Sequence, residues 1–244
     1  MTTPDISRKR LIPVTVVAVV ALIVAVVAAT AGEQSANADS HRHSATDSTA
    51  MSMHQMSQMP RGMKQSKLAF HDQMRKLWED HVTWTRLAIV TFADGSAGFN
   101  DTAARLLQNQ TDIGDAIKPF YGDAAGNQLT ALLHDHITIA VELLQAAKAG
   151  DAAALQDASD RWYANANDIA DFLAAADPVH WPQATMRAAM KTHLDQTLAE
   201  AQDELTGDYA ASVADYEEIH HHILEMADLL SNGIMKAFPQ DFRH

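Results

Sequence analysis

The chain has 244 residues, of which 47% are apolar and 6% aromatic, with 10 glycines, 7 prolines and no cysteine. This composition excludes disorder throughout, and with it any disulfide, thiolate metal site, thiol nucleophile or lipoprotein anchor; its wealth of Ala, Leu, Gln and Asp favours an all-α protein. The net charge is −13, and residues 64–244 carry 27 acidic against 13 basic side chains, a field that argues against nucleic acid as a partner and favours cations.

At the amino terminus, residues 1–10 form a basic flank ending in Arg8, Lys9 and Arg10. The next twenty residues, Leu11 to Thr30, contain no charge. As a helix this run spans about 30 Å, the depth of a bilayer core, so it predicts a transmembrane helix or signal peptide with the basic flank in the cytoplasm. "ATA" (Ala29 to Ala31) and "ANA" (Ala36 to Ala38) both offer small-x-small cleavage patterns. The length of the apolar run favours an uncleaved signal anchor in the cell membrane, leaving the C-terminal domain outside the cytoplasm; cleavage would make the protein secreted.

Residues 31–66 lack apolar periodicity and predict a disordered, Met/His-rich linker. Within 23 of its residues stand His41, His43, Met51, Met53, His54, Met56, Met59 and Met63, eight thioether or imidazole donors. Thioethers select Cu(I), and imidazoles also suit Cu(II), Zn(II) and Ni(II), so copper is the favoured ion and another transition metal the second choice. A linker under no folding constraint could also accumulate methionine by drift. The Met-x-Met and Met-x-x-Met spacings resemble the methionine-rich copper segments of exported bacterial proteins.

From Lys67 to residue 240 the apolar positions recur at helical spacing, predicting a bundle of six helices over roughly 66–93, 99–118, 123–148, 152–175, 183–206 and 209–236. "RLLQNQTDIGDAI" (105–117), "RWYANANDIADFL" (161–173) and "EIHHHILEMADLL" (218–230) recur at a period of 56 to 57 residues. His81, His136 and His193 keep the same register on the partner helices, each fourteen residues before Gly95, Gly150 or Gly207. Three tandem helix hairpins account for both series.

Projected at 100° per residue, His81, His136 and His193 fall at the centres of apolar stripes, with Glu200 and Glu204 further along the stripe of His193. His220 and His222 flank the stripe of the last helix and His221 points outward, so "HHH" is no three-pronged ligand. Residues equidistant from a hairpin turn lie side by side. His136 should therefore neighbour Asn165, His193 should neighbour His222, and His81 should lie near Asn109 to Asp112. A core histidine hydrogen-bonded to an amide is the ordinary structural reading. Several converging, with a carboxylate, would instead offer His81, His136, His193, Glu200, His220 and His222 as ligands to a metal inside the bundle. Glu217-x-x-His220 and Glu218-x-x-His221 have the spacing of di-iron bundles, but in a single copy. Trp78, Trp84, Trp162 and Tyr163 read as packing between hairpins. No nucleophile elbow, phosphate loop or HExxH pair is present, which speaks against an enzyme.

The phrases "LWEDHVTWTRL", "LLQNQTDIGDAIKPFYG", "WYANANDIADFL" and "ILEMADLLSNGIMKAFP" resemble a family of exported, membrane-anchored, all-helical bacterial proteins of no established activity, over Leu77 to Pro239. The resemblance implies a helical bundle and export, and carries over no catalytic residue. The function expected is therefore metal sequestration or delivery at the envelope. The alternatives are a small-ligand or protein-interaction module and, third, a di-iron oxidase needing carboxylates at four or more inward helical positions.

Overall fold

The computed structural model describes residues 64–243, so the expected membrane segment and the Met/His-rich linker up to Met63 lie outside the described residues. Six helices follow one another: α1 (Lys67–Ala93), α2 (Phe99–Tyr121), α3 (Asp123–Ala149), α4 (Ala152–Ala176), α5 (Gln183–Thr206) and α6 (Tyr209–Ala237). Three of the starts, those of α1, α4 and α6, are capped by side chains that accept from otherwise unpaired amides. Ser66 accepts from Ala69, Asp151 from Ala153 and Ala154, and Asp208 from Ala211. Among the described residues no helix is long and apolar enough to cross a membrane.

The pairs α1/α2, α3/α4 and α5/α6 are hairpins turning at Gly95, Gly150 and Gly207, whose φ values of 68°, 69° and 81° are left-handed. One boundary departs from the sequence reading. The second helix does not stop at residue 118: α2 runs through Pro119 to Tyr121, and Gly122 alone separates it from α3, which begins at Asp123. Proline sits in the last turn, where little helix remains to disturb, and the reversal is made by Gly122 at φ 85°, ψ 166°, a conformation open essentially to glycine.

Each helix packs on its neighbours in the chain, and α6 closes the ring against α1. Residues 55 and then 57 apart on α1, α3 and α5 fill the interior in layers: Met74, Leu129 and Met186; then His81, His136 and His193; then Thr85, Ala140 and Thr197; then Ile89, Leu144 and Ala201. At one end Phe70, Phe120, Phe238 and Phe242 form an aromatic plug with ring centres 5.1–5.6 Å apart. Beside it the short strands β1 (Gln65–Ser66) and β2 (Phe242–Arg243) pair in parallel, tying the first and last described stretches of the chain together.

The threefold repeat is visible in hydrogen bonds. Asn109 Nδ2 donates to Leu77 O at 3.0 Å, Asn165 Nδ2 to Leu132 O at 3.0 Å, and His222 Nε2 to Ala189 O at 2.9 Å. Each donor is the fifth residue of its repeated motif, and each acceptor lies four residues before a central histidine. The contacts between hairpins also repeat. Asp171 binds Arg187 across α4/α5, and Asp228 binds Arg75 across α6/α1, each arginine lying six residues before its histidine. The seam that closes the ring is thus the same interface as the one between the second and third hairpins.

Between the first and second hairpins the corresponding position is Thr130, and the helices approach more closely instead. A Cβ built on Gly114 would fall 2.0 Å from Thr130 Oγ1 and 2.6 Å from the carbonyl of Gly126. Gly114→Ala should therefore destabilise the bundle by about 1–3 kcal/mol, read as a lower urea midpoint. An unchanged midpoint would show that this seam yields without cost.

Candidate functional site

The three central histidines meet inside the ring. His81 and His193 have ring centres 5.5 Å apart, and His136 and His193 are 6.3 Å apart. They are 2%, 3% and 3% exposed, with no carboxylate among their direct partners. Above them lies a cavity of about 50 Å³, walled by Ile89, Leu106, Ile137, Leu144 and Ala201, with Thr85 and Thr197 the other polar groups on its lining. A single water needs about 10–15 Å³ of such space, so the chamber has room for a small ligand or a few waters.

Burial without counter-charge holds the imidazoles neutral. Desolvation, reinforced by repulsion from His136, brings His81 down to about 3, although the Gln110 amide opposes this. Desolvation brings His136 to about 4 against the opposing Asn165 bond, and pushes His193 well below its usual range, helped by His81, His136 and His222.

The amides around the rings decide which nitrogen carries the proton. Asn165 gives its N–H to Leu132 O, so its Oδ1 accepts from His136 Nδ1 at 2.9 Å. His136 is consequently the Nδ1–H tautomer, with a lone pair on Nε2. Gln110 Nε2 donates to Leu106 O at 2.8 Å and faces His81 Nδ1 at 3.2 Å, which places the His81 proton on Nε2. His193 Nδ1 and Gln110 Oε1 are buried without a partner among the described residues.

The backbone of the histidines is tied as closely as the rings. Thr85 donates to His81 O at 2.7 Å and Thr197 to His193 O at 2.8 Å. In the second repeat, where Ala140 cannot do this, Trp162 Nε1 donates to His136 O at 3.1 Å. Trp162 also lies over the His136 ring, with centres 5.2 Å apart and planes at 26°. It is therefore a wall of the chamber as well as a packing residue. Its indole N–H, paired with the alanine that breaks the Thr pattern, was the available signal in the sequence.

The neighbours expected from hairpin counting are found: Asn165 at His136, Gln110 at His81, and His222 close enough to His193 to repel its proton. Other sequence candidates stand elsewhere. His220 pairs with Glu79 at 2.9 Å on the exterior, and His221 with Glu225 at 3.2 Å. His222 commits Nε2 to a carbonyl and does not line the chamber. Glu200 is buried but faces Arg86, whose Nη1 donates to it at 2.6 Å and reaches Ser212 Oγ at 3.1 Å. Ser212 in turn donates to Glu204 at 2.7 Å. Desolvation raises Glu200 to about 7, despite Arg86 and with help from Glu204 and Asp215. The linker candidates His41, His43, Met51, Met53, His54, Met56, Met59 and Met63 lie outside the described residues.

As the side chains stand, no group of three or more His, Asp or Glu among the described residues is arranged to hold a metal ion. The buried carboxylates on helices are Glu200 and Glu204, both on α5, short of the four inward positions a di-iron bundle requires. No family model, no curated protein and no solved structure matches the chain.

The protonation pattern makes stability depend on pH. The histidine values are depressed on folding, so their contribution is whole above about 6.5 and is lost as pH falls towards 4 and below. Glu200 is raised, so its share has the opposite sign and is lost as pH rises through about 7. Between pH 5 and 6, unfolding should take up about two protons, three on imidazoles less one from Glu200. Stability should therefore fall by about 2–3 kcal/mol per pH unit of acidification, measured by urea unfolding across that range. A flat profile would place the three rings in contact with solvent.

Proposed function

We propose that the protein binds a transition-metal ion, copper before others, outside the cytoplasmic membrane, for sequestration or delivery. Its apolar segment Leu11 to Thr30 would hold it to the membrane, and its Met/His linker would be the first capture site. The chamber of the bundle would be a second, enclosed site. The observation that carries this reading is the convergence of His81, His136 and His193, one from each hairpin, as neutral imidazoles.

Neutral imidazole is the form that donates to a metal. The His136 ring already has the arrangement typical of ligands, its Nδ1 proton given to an amide oxygen and its Nε2 lone pair free. The spacing is close to what an ion needs. With metal–nitrogen bonds near 2 Å and ring centres about 1 Å beyond, two imidazoles on one ion have centres roughly 5–6 Å apart. The observed 5.5 and 6.3 Å are close to this range, with the ring planes at 50° and 27°, so ligation requires the rings to turn their nitrogens towards a common point.

A second reading keeps the chamber and changes its occupant. Apolar walls with one imidazole donor and one acceptor also suit a small neutral molecule. Cu(I) titration of the full chain against a competing chelator separates the two. The comparison is with a chain whose Met51, Met53, Met56, Met59 and Met63 are all serine. The intact chain should retain at least one more equivalent of Cu(I) than the serine variant, which should still keep one. Equal weak binding by both would refute copper capture.

A further inference from the structure

We infer that the His81, His136, His193 chamber selects a monovalent soft cation, Cu(I) or its analogue Ag(I), over divalent ions such as Zn(II). This rests on the metal reading of the chamber and adds the charge and coordination number of the ion it takes.

The first argument is charge. All three rings are neutral and the walls are apolar, so no ligand offsets the charge of the ion. The cost of moving an ion out of water grows with the square of its charge, so a divalent ion pays about four times the monovalent penalty here. Thiolate or carboxylate ligands, or a bound hydroxide, meet that cost in zinc sites, and the rings have no thiolate or carboxylate as a direct partner. The nearest buried acids on α5 are Glu200 and Glu204, and both share the one guanidinium of Arg86 through direct contact or through Ser212. With Glu200 raised towards neutrality by its burial, the cluster supplies little negative charge to offset a divalent ion.

The second argument is coordination. Zn(II) takes four ligands, so three imidazoles here would leave its fourth place to a water or a threonine hydroxyl. A closed-shell monovalent ion accepts two or three imidazoles. The 6.3 Å between His136 and His193 is the separation expected of two rings on opposite sides of an ion, about 6 Å from bonds near 2 Å. The 5.5 Å between His81 and His193 suits a trigonal angle. His193 is the common member, and its buried Nδ1 has no partner among the described residues. His81 joins only if its proton moves to Nδ1, and the unpaired Gln110 Oε1 is the group that would accept it once the amide turns over. His136 and His193 are therefore the primary pair, and His81 with Gln110 the adjustable third.

The test uses the full chain, with Ag(I) and Zn(II) as separate probes. Wild type and His193→Phe are compared by equilibrium binding, and the ring nitrogens of wild type are followed by ¹⁵N NMR so that the outcome stands even if the variant fails to fold. The expected result is the loss of one Ag(I) equivalent in the variant with Zn(II) binding unchanged, and shifts of the buried ring nitrogens on adding Ag(I) but not Zn(II). Loss of a Zn(II) equivalent, or equal shifts with both ions, would overturn the charge selection while leaving the chamber a metal site. No loss and no shift with either ion would overturn the metal reading of the chamber itself, whatever the linker binds.

Discussion

Three imidazoles buried without a counter-charge are the constraint on which the rest of this bundle depends. Together they form one polar layer among the apolar layers of the interior, and burial favours their neutral form. The surrounding polar groups follow from that requirement. Asn165 and Gln110 supply hydrogen bonds to two of the rings, Thr85, Thr197 and Trp162 bind the histidine carbonyls, and Asn109, Asn165 and His222 fix the carbonyl one turn before each. A network of this kind costs more when one member is lost than any single bond in it contributes, because a buried donor or acceptor is then left bare.

The repeat gives this network its shape. Three hairpins with the same register put three equivalent positions on one axis, so any residue conserved between repeats in this chain meets its own counterparts there. Where the repeats agree, the layers are closed by matched residues such as Met74, Leu129 and Met186. Where they diverge, volume is lost: Ala140 against Thr85 and Thr197, and Ala201 against Ile89 and Leu144, leave the space that becomes the chamber. The cavity is therefore a product of small residues on two different helices, sited directly beside the histidine layer.

The charged cluster of the interior is kept apart from the neutral imidazoles. Arg86, Glu200, Glu204 and Ser212 form a cluster joining α1, α5 and α6, and Tyr216 lies over the Arg86 guanidinium at 5.1 Å. The cluster lets the ring carry buried carboxylates without exposing them to the rings.

Much of this was legible in the sequence. Helical periodicity and capping residues gave six helices within a few residues of their observed ends, because local hydrogen bonding and an apolar stripe act over short stretches of chain. The repeat located the histidines on equivalent faces, and hairpin counting paired His136 with Asn165 and put His81 near Asn109 to Asp112, since antiparallel neighbours are fixed by distance from a shared turn. The helix through Pro119 escaped, because only the backbone conformation at Gly122 shows which residue makes the reversal. Glu200 was offered as a ligand from its place on the His193 stripe, but a helical projection gives the direction of a side chain and cannot show that Arg86, from a helix 114 positions away, reaches it. Ring tautomers, the role of Trp162 and the chamber itself were likewise settled by tertiary packing, for each depends on which atoms of three separate hairpins come within a few ångströms of one another.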